Sequence, residues 1–330
     1  MTTMRAAMYR TTGDAATVLE VVEVPVPEPG PGQVRVRVAV SAINPTDVKI
    51  RSGFTPRPID GYQIPHMDGA GVIDAVGEGV DPARVGERAW LLLAAHEGRQ
   101  GTAAEFCVVP AGRAIRLPDG ISWDLAATLG VPAVTAAHCI FASGAVAGRD
   151  VLVAGGAGAV GRVAVQLARW GGARVAATIS TPEKASVALA AGAHIAVDYR
   201  DASATARLQD WAPGFHRIVE VSLAANAALD AEIAARGAVI VVYSSDGGDP
   251  VLPVRSSLLR SLTYQYVLLY NLTDDALRSA TERVSAALEE QALDMPPAIR
   301  FPLEGIAAAH DAVEARVPAR VLVDVAEVRP

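Results

Sequence analysis

The sequence predicts an α/β protein with β-rich regions at both chain ends and a doubly wound parallel sheet between them. Three observations lead to this fold class. The chain shows alternating strand patterns before residue 121, a regular succession of apolar strands and amphipathic helices over residues 150–245, and a tail that ends in a strand. A chain of 330 residues is long enough for two domains of ordinary size.

The first ~120 residues have the pattern of strands. Residues 18–29 and 33–43 alternate apolar and polar side chains, as half-buried strands do. Residues 69–80 are rich in glycine and β-branched side chains, which is typical of turning strands in a barrel-like domain. Residues 123–145 are rich in alanine with helical spacing, so the character of the chain changes near residue 121.

Strands and helices alternate from residue 150 onward. The predicted strands are 150–156, 174–179, 194–199, 216–222, 238–245 and 261–270. The predicted helices are 159–172, 182–192, 203–212, 226–237 and 274–293. This is the β-α-β succession of a doubly wound sheet. Residues 299–325 form a strand, a short helix and a closing strand. We expect them to pack on the N-terminal domain and not to form another β-α-β unit.

Composition excludes several classes of partner. The net charge is -7 and no run of Lys or Arg is present, which disfavours nucleic acid and anionic membranes. No apolar run reaches the roughly 20 residues that span a bilayer. The N-terminus has no apolar core of signal-peptide length. Two cysteines, Cys107 and Cys139, favour a reducing compartment, so we expect a cytoplasmic protein without disulfides.

The sharpest local motif is the glycine-rich segment AGGAGAVG at residues 154–161. Its glycines match the pattern G-x-G-x-x-G, an apolar strand precedes it and a helix opens within it, as in dinucleotide-binding folds. Such a turn brings backbone N–H groups and a helix N-terminus close to a pyrophosphate. The predicted cofactor contacts here are Gly156, Ala157, Gly158, Ala159, Val160 and Gly161.

The tip of the next strand selects the cofactor. Folds that prefer NAD place Asp or Glu there to accept from the ribose 2′-OH. This strand ends instead at Ser180 and Thr181, with Lys184 just beyond and Tyr199 at the end of the third strand. Hydroxyl and ammonium donors suit a 2′-phosphate, so the sequence predicts NADPH. We expect Glu183 to point away.

Five segments in order carry a resemblance to the zinc-free quinone oxidoreductase (zeta-crystallin-like) branch of the medium-chain dehydrogenase/reductase superfamily. They are MRAAMYRTTGDAATVLEVVEVPVPEPGPGQVRVRV (4–38), NPTDVKIRSG (44–53), PHMDGAGVIDAVGEGV (65–80), LPDGISWDLAATLGVPAVTAAHCIF (117–141) and GGAGAVGRVAVQLARWGGARV (155–175). The resemblance implies a GroES-like catalytic domain over 1–121 and 271–330, a Rossmann NADPH-binding domain over 122–270, and an active cleft between them. It also implies a homodimer or tetramer, with 261–270 as the candidate edge strand.

The resemblance also locates the zinc site of related alcohol dehydrogenases. Asn44 stands in the position of the first ligand, Met67 in that of the histidine and Val131 near that of the third. None of these side chains suits Zn²⁺ as part of a set, and His66 cannot make a site alone. We therefore expect no metal, and a structural or cleft-lining role for His66.

The remaining site residues come from the same resemblance. Asn44, Asp47, Lys49 and Thr135 match segments near the nicotinamide and substrate, with Lys49 in place of the usual aromatic residue. Ser244, Tyr270 and Arg320 match segments that line the cofactor.

The function that follows is zinc-independent hydride transfer from NADPH to a quinone or another activated acceptor such as an enone. Catalysis would then be mostly positioning. A pathway-specific enoyl or unsaturated-ketone reductase remains open, because Lys49 removes a stacking surface. A non-enzymatic RNA-binding or crystallin-like role is disfavoured by the acidic charge, and a zinc alcohol dehydrogenase ranks last.

Overall fold

The computed structural model describes residues 2–245 and 248–328, and the chain divides into two units. Unit 1 contains the residues up to Val131 and those from Met295 onward, and unit 2 is Pro132–Asp294. Both boundaries lie later in the chain than the predicted positions near residues 121 and 271.

Unit 1 is built on a two-stranded ribbon and a seven-stranded sheet. Strands and helices are numbered here in chain order. The ribbon pairs β1 (Thr3–Met8) with β2 (Glu20–Pro25). The sheet contains β3 (Gln33–Ile43), β4 (Asp68–Val76), β5 (Arg88–Leu91), β6 (Phe106–Pro110), β7 (Ala114–Arg116), β14 (Ala298–Pro302) and β15 (Arg320–Asp324). Its order is β14-β15-β3-β4-β5-β7, and β6 also pairs with β3.

Short helices connect these strands. They are α1 (Ala15–Val18), α2 (Pro45–Ser52), α3 (Trp123–Ala127) and α11 (Ile306–Glu314), together with 3₁₀ turns at Pro82–Arg84, Ala111–Arg113 and Leu303–Gly305.

Strand β3 shows how the sequence pattern builds the core of unit 1. Val34, Val36 and Val38 are fully buried, while the alternate residue Arg35 lies on the other face and binds Asp74 at 3.0 Å. Alternate side chains of a strand point to opposite faces, so one apolar face is buried and one charged face is accessible. The predicted strand 33–43 is therefore confirmed at both ends.

The chain tail joins the N-terminal sheet, as predicted, but its topology differs from the expectation. Strand β15 pairs antiparallel with β3, with Val321 opposite Ile43. Strands β14 and β15 are parallel and α11 connects them, so the tail is a β-α-β unit after all. The prediction was wrong because a helix of nine residues is sufficient for the crossover.

Unit 2 is a six-stranded parallel sheet with helices between the strands. The strands are β8 (Asp150–Val153), β9 (Arg174–Ile179), β10 (Ile195–Asp198), β11 (Phe215–Glu220), β12 (Ala234–Val242) and β13 (Thr263–Tyr266). The helices are α4 (Gly130–Phe141), α5 (Ala159–Trp170), α6 (Pro182–Ala190), α7 (Ala204–Trp211), α8 (Leu223–Ile233), α9 (Val254–Arg260) and α10 (Asp274–Glu289), and a 3₁₀ turn covers Leu269–Asn271. Helix α9 was not predicted.

The strand order β10-β9-β8-β11-β12-β13 confirms the doubly wound sheet. The chain adds strands on one side of β8 as far as β10 and then on the other side from β11 to β13, so the switch point lies between β8 and β11. Sheets of this kind bind ligands at the carboxyl ends of the strands beside the switch point. The six predicted strands are all present, although the sixth is only four residues long.

Helix α10 explains the later boundary. Ala280, Val284, Ala287 and Leu288 form a buried stripe, which is the pattern of an amphipathic helix. Immediately after it, the Glu290 carboxylate accepts from Trp170 Nε1 at 2.8 Å, and Asp294 binds Arg162 at 2.6 Å. These contacts attach residues 274–294 to unit 2.

Along the described ranges, every helix is too short or too polar to cross a membrane.

Candidate active site

The carboxyl ends of the parallel strands of unit 2 lie along one edge of the sheet. The glycine-rich turn follows β8, Ser180 follows β9, Tyr199 follows β10 and Ser244 follows β12. The fold therefore brings these four predicted positions to the same edge, on both sides of the switch point.

The glycine-rich turn is built so tightly that side chains are excluded from it. A Cβ at Gly156 would lie 2.6 Å from Ala177 Cβ on β9, and a Cβ at Gly161 would lie 2.2 Å from the Gly155 carbonyl oxygen. A Cβ at Gly158 would approach only that same oxygen, at 3.3 Å. Gly158, the second glycine of the motif, is therefore open on the surface of the turn. Gly156 and Gly161 allow α5 to pack closely against the neighbouring strands.

Gly155 also shapes the turn, although the predicted cofactor contacts begin at Gly156. Its φ of +68° is in the left-handed region that favours glycine. Its N–H donates to Thr178 Oγ1 at 3.2 Å, and its carbonyl accepts from the Gly158 N–H at 2.9 Å. The sequence does point to this residue, because Gly155, Gly158 and Gly161 are spaced three residues apart.

Helix α5 begins at this turn with Gly158 as its N-cap. Its first residues Ala159, Val160 and Gly161 have no carbonyl one turn earlier in the helix, so their N–H groups are available to a ligand. Those N–H groups and the positive end of the helix dipole favour an anion. The turn, including Ala157, can therefore hold a pyrophosphate.

The β9 tip carries a small group of hydroxyl and ammonium donors. Lys184 Nζ lies 2.9 Å from Ser180 Oγ, and Thr181 Oγ1 caps α6 by accepting from the Lys184 N–H at 3.3 Å. Glu183 was expected to point away, but its carboxylate accepts hydrogen bonds from its own N–H and from the Thr181 hydroxyl, and these lower its pKa. Tyr199 adjoins the tip, because its N–H donates to the Ile179 carbonyl at 3.1 Å.

Three further predicted residues of unit 2 lie apart from this group. Ser244 is half-buried just after β12, and Tyr270 lies in the 3₁₀ turn Leu269–Asn271. Thr135 is buried in α4. Their predicted contacts with the cofactor or substrate remain predictions.

In unit 1, a buried polar cluster forms around Asn44. The Asn44 side chain donates from Nδ2 to Asp68 Oδ2 at 2.7 Å, and its Oδ1 accepts from Arg320 Nη1 at 3.2 Å. Asp68 also accepts from the backbone N–H of Val131 at 2.9 Å. The sequence placed Asn44 and Arg320 in the site, and the structure adds Asp68 as the residue that joins them.

Asp47 orients the backbone of this cluster. One of its carboxylate oxygens accepts from the Asn44 N–H at 2.7 Å and the other from the Met67 N–H at 3.1 Å. The first of these bonds belongs to a capping box, in which the N-cap Asn44 and Asp47 satisfy each other's backbone at the start of α2. Asp47 thus holds the backbone at the start of α2 and at Met67 in place.

Burial sets the electrostatics of the cluster. It raises the pKa of Asp47 to about 8 and that of Asp68 to about 6, against the opposing effect of their hydrogen bonds. Burial also lowers the pKa of Arg320, although Asp68 and Asp47 oppose this. Arg320 Nε and Nη2 are buried and have no acceptor among the described residues.

Lys49, also on α2, lies outside the cluster. Its side chain is exposed, and its ammonium lies 5.6 Å from the centre of the Phe54 ring. Two residues later Arg51 is buried and bound to Glu314 and to the Gly13 carbonyl. The two basic residues of the last turn of α2 therefore have different environments.

His66 is part of a buried hydrogen-bonded chain that reaches α11. Its Nδ1 lies 2.8 Å from Ser41 Oγ, and its Nε2 lies 3.0 Å from Nε2 of His310. Ser41 Oγ lies 2.6 Å from Thr102 Oγ1, which donates to the Asp68 carbonyl at 2.6 Å. The residue is fully buried with a φ of +79°, so it is structural.

The direction of this chain follows from counting protons. Thr102 uses its one hydroxyl proton on Asp68, so Ser41 donates to Thr102 and accepts from Nδ1–H of His66. His66 Nε2 is then the acceptor for Nε2–H of His310. Both rings are neutral, because burial lowers both pKa values, that of His310 to about 3.

The positions equivalent to zinc ligands converge in space but do not fit zinc. Asn44, Asp68 and Val131 are joined by the hydrogen bonds described above, and Met67 is a buried core residue. An amide, a thioether and a valine do not form a zinc ligand set. Over the described part of the chain, no three His, Cys, Asp or Glu side chains are grouped to hold a metal.

Comparison with known proteins places both units. The alcohol dehydrogenase GroES-like domain matches residues 30–119, and the zinc-binding dehydrogenase family matches residues 159–287. The chain is 28% identical to human quinone oxidoreductase over 273 residues, which is 82% of this chain and 81% of that protein. It is 34% identical to a chloroplastic NADPH-dependent alkenal/one oxidoreductase of Arabidopsis thaliana over 168 residues, 48% of this chain and 43% of that one.

Solved structures extend the similarity to the whole chain. An NAD-dependent alcohol dehydrogenase superposes with a TM-score of 0.88 at 29% identity, covering 98% of this chain and 100% of that one. A mycobacterial quinone oxidoreductase solved with NADPH gives 0.81 at 27% identity, covering 97% and 99%. Neighbours of this fold thus differ in their cofactor.

Proposed function

We infer the activity from the premise that the chain belongs to the medium-chain dehydrogenase/reductase superfamily, whose two domains it carries. Within that superfamily it is an oxidoreductase. We propose that it oxidises NADPH and transfers the hydride, without zinc, to a quinone or another activated acceptor such as an enone. The observation that carries the proposal is the pairing of a glycine turn with a β9 tip that ends in donors.

The cofactor part of the proposal depends on which atoms can bind which phosphate. The glycine turn and the first N–H groups of α5 suit the pyrophosphate. Ser180 and Lys184 supply a hydroxyl and an ammonium for a 2′-phosphate, and Thr181, whose hydroxyl donates to Glu183, is the third proposed contact. NAD-preferring folds use a carboxylate as the strand-tip residue, whereas Ser180 and Thr181 stand at this tip and Glu183 lies in the first turn of α6. Tyr199, Ser244 and Tyr270 complete the proposed cofactor residues.

The chemistry does not need a Lewis acid when the acceptor is already electron-poor. NADPH, when bound, would supply a hydride from its nicotinamide ring, and water would supply the proton that completes the reduction. The proposed contacts of the acceptor are Asn44, Asp47, Lys49 and Thr135. Arg320 remains a proposed contact of the cofactor. Its buried Nε and Nη2 have no acceptor in the described residues, and Asn44 accepts from the guanidinium through Oδ1.

Enones are the second class of acceptor. By the family resemblance, Lys49 stands where an aromatic residue is usual, which disfavours a purely stacking pocket. The similarity to an alkenal/one oxidoreductase over 168 residues favours the same alternative. Either substrate class requires the same cofactor and the same absence of zinc.

An absorbance assay at 340 nm tests the proposal. After dialysis against EDTA, the protein is given NADPH or NADH with 1,4-benzoquinone, 9,10-phenanthrenequinone and a set of small enones. We expect turnover that prefers NADPH and is unchanged by added Zn²⁺. No turnover with any acceptor, or turnover that requires Zn²⁺, would contradict the proposal.

We further propose a homodimer that pairs the edges of two parallel sheets. Strand β13 is the last strand of its sheet. Around it, Leu258, Leu259 and Tyr266 are 73%, 70% and 64% exposed. Exposed apolar side chains near the edge strand of a sheet are typical of an interface. Light scattering should give twice the chain mass, and Leu259→Asp should reduce it to one chain.

The compartment is also a proposal. Cys107 and Cys139 are free and buried, and burial raises the pKa of each thiol to about 12. Unpaired thiols suit a reducing compartment, so we propose a cytoplasmic enzyme.

A further inference from the structure

We propose that Glu220 and Asp230 share one proton, and that the shared proton holds the connection after β11 in the position that cofactor binding requires. This inference rests on the cofactor part of the proposed function and adds two positioning residues to it. Glu220 is the last residue of β11, beside the switch point of the sheet, and Asp230 lies on α8. Both belong to unit 2, which also carries the glycine turn.

The two acids are buried side by side. Glu220 is 0% exposed and Asp230 is 1% exposed, and their side chains are hydrogen-bonded to each other. In the described part of the chain, the charged group that acts on Asp230 is Glu220, which is itself an acid. Two carboxylates in contact inside a protein cannot both be ionised, and a hydrogen bond between them needs a proton. One of the two carboxyl groups therefore carries a proton.

The other hydrogen bonds of the pair show which group carries it. The Glu220 carboxylate accepts from the N–H groups of Val221 and Ser222. It also accepts from Asn226 Nδ2 at 3.0 Å. Asp230 Oδ2, by contrast, is buried and has no partner among the described residues. Since hydrogen bonds stabilise a carboxylate, Glu220 is the anion and Asp230 is the neutral acid that donates to it. Burial and the neighbouring Glu220 both raise the pKa of Asp230, in agreement with this assignment.

The pair attaches the start of α8 to the end of β11. Ser222 is the N-cap of α8, and Asn226 lies in the first turn of the helix. The Glu220 side chain binds both of these residues, and Asp230 adds a third attachment about one turn further along the helix. The path of the chain from β11 into α8 is therefore fixed through the Glu220 carboxylate.

This connection packs directly against the glycine turn. The N–H of Ala154, the residue before the turn, donates to the Val219 carbonyl at 2.9 Å. A Cβ at Gly155 would lie 3.3 Å from Val221 Cγ1, so the Val221 side chain covers the first residue of the turn. A shift of Val221 would reach Gly155 and, through it, the N–H groups proposed to bind the pyrophosphate.

The test compares variants of Asp230 that keep or remove the donor, by fluorescence titration with NADPH and with NADH at neutral pH. Asp230→Asn keeps an N–H donor for the Glu220 carboxylate, so both affinities should stay within twofold of the unaltered protein. Asp230→Leu is similar in size but has no donor. It should weaken both cofactors about tenfold, because the turn binds the pyrophosphate that they share. Glu232→Gln, which changes an exposed acid of the same helix, is the matched control and should change neither.

Infrared spectroscopy detects the proton itself. The difference spectrum between the unaltered protein and Asp230→Asn at neutral pH should contain the carbonyl band of a protonated carboxyl group. The corresponding spectrum for Glu232→Gln should contain the bands of an ionised carboxylate. If circular dichroism shows that Asp230→Leu does not fold, Glu220→Gln replaces it. That variant places an amide N–H among the donors that surround Glu220, so it should also weaken both cofactors about tenfold.

Failure of the inference differs from failure of the proposed function. Three results would overturn the inference: unaltered cofactor binding in Asp230→Leu, binding as weak in Asp230→Asn as in Asp230→Leu, or a difference spectrum without the protonated carboxyl band. A loss of affinity confined to NADPH would also contradict it, because the pyrophosphate is common to both cofactors. No binding of NADPH or NADH by the unaltered protein would overturn the proposed function instead, while the infrared spectra would still decide whether the proton is shared.

Discussion

The glycine turn of unit 2 and the polar cluster of unit 1 achieve precision in opposite ways. The turn uses seven consecutive residues, 155–161, and fixes its shape by excluding side chains. The cluster joins Asn44, Asp68 and Arg320, which are far apart in the chain. Its shape is fixed by hydrogen bonds from the Asn44 amide to the Asp68 carboxylate and from the Arg320 guanidinium to the Asn44 amide. The shape of the turn is therefore set by neighbouring residues, whereas the shape of the cluster depends on the whole of unit 1 being folded.

The comparison predicts different consequences when each region is disturbed. A substitution in the turn should affect mainly the cofactor, because the damage stays within one strand–helix connection. A substitution in the cluster should affect mainly the stability of unit 1, because a buried charge loses its partner.

The largest expected effect is that of Asp68→Asn. The change preserves shape but leaves the buried Arg320 guanidinium without its neighbouring anion, so the free energy of unfolding should fall by about 3 kcal/mol. Asp74→Asn is the matched control, since Asp74 lies on the same strand but pairs with Arg35 in a partly exposed position. It should cost less than about 1 kcal/mol. Urea denaturation checks both, and equal losses would refute the role of burial.

The glycine turn should respond next. In Gly161→Ala the added methyl group would lie 2.2 Å from the Gly155 carbonyl oxygen, so α5 must move away from β8. We expect a loss of about 2 kcal/mol in stability and about 30-fold weaker binding of NADPH. Gly112→Ala is the control, because nothing lies within 4 Å of its Cβ position. Fluorescence titration of NADPH measures the affinity, and unaltered binding by Gly161→Ala would contradict the steric account.

The same contrast explains what the sequence could predict. The turn, the six parallel strands and the donors at the β9 tip were all predictable, because each depends on neighbouring residues and on a repeating pattern. Of the cluster, the resemblance supplied Asn44, Asp47 and Arg320, but not their connection through Asp68. Nor could any pattern reveal that His66 contacts His310, since those residues meet only in the folded unit.

The unit boundaries differ in position from the predicted domain boundaries for a related reason. Helix α10 has the same amphipathic pattern whichever unit it covers, and only the contacts of Glu290 with Trp170 and of Asp294 with Arg162 assign it. The parallel pairing of β14 with β15 was also invisible, because an apolar strand pattern does not state the direction of its neighbour.

The pH dependence of stability sharpens the description of the cluster. The pKa of Asp47 is about 8 in the folded protein because of burial, well above its unfolded value, so the folded state holds a proton that the unfolded state has lost. Stability from this group is present at low pH and declines as pH rises to about 8. Asp68, with a pKa of about 6, contributes mainly below pH 6.5.

His66 and His310 have the opposite effect on the pH dependence of stability. Burial lowers both pKa values, so the free energy of unfolding falls as the pH drops below 6.5. Between pH 6.5 and 8 the Asp47 effect should dominate the cluster, at about 1.5 kcal/mol. The difference in unfolding free energy between these pH values should therefore shrink by that amount in Asp47→Asn. An unchanged difference would show that Asp47 is ionised throughout.

The smallest expected effect concerns the β9 tip, where an exposed ammonium meets a phosphate. Lys184→Met should weaken NADPH binding about fivefold and leave NADH unchanged, because only NADPH has the 2′-phosphate. Lys184→Arg keeps the charge and should retain the preference. Equal changes for the two cofactors would contradict the assignment.

One measurement tests the cofactor claim most directly, and the composition makes it simple. Lys49 and Lys184 are the chain's two lysines, so reductive ¹³C-methylation gives two lysine signals in an NMR spectrum, which the Lys184→Arg variant assigns. The protein is titrated with NADP⁺ and, separately, with NAD⁺. We predict that the Lys184 signal shifts with NADP⁺ and stays in place with NAD⁺. Saturation with NADP⁺ without a shift at Lys184, or equal shifts with both cofactors, would contradict the claim that this strand tip recognises the 2′-phosphate.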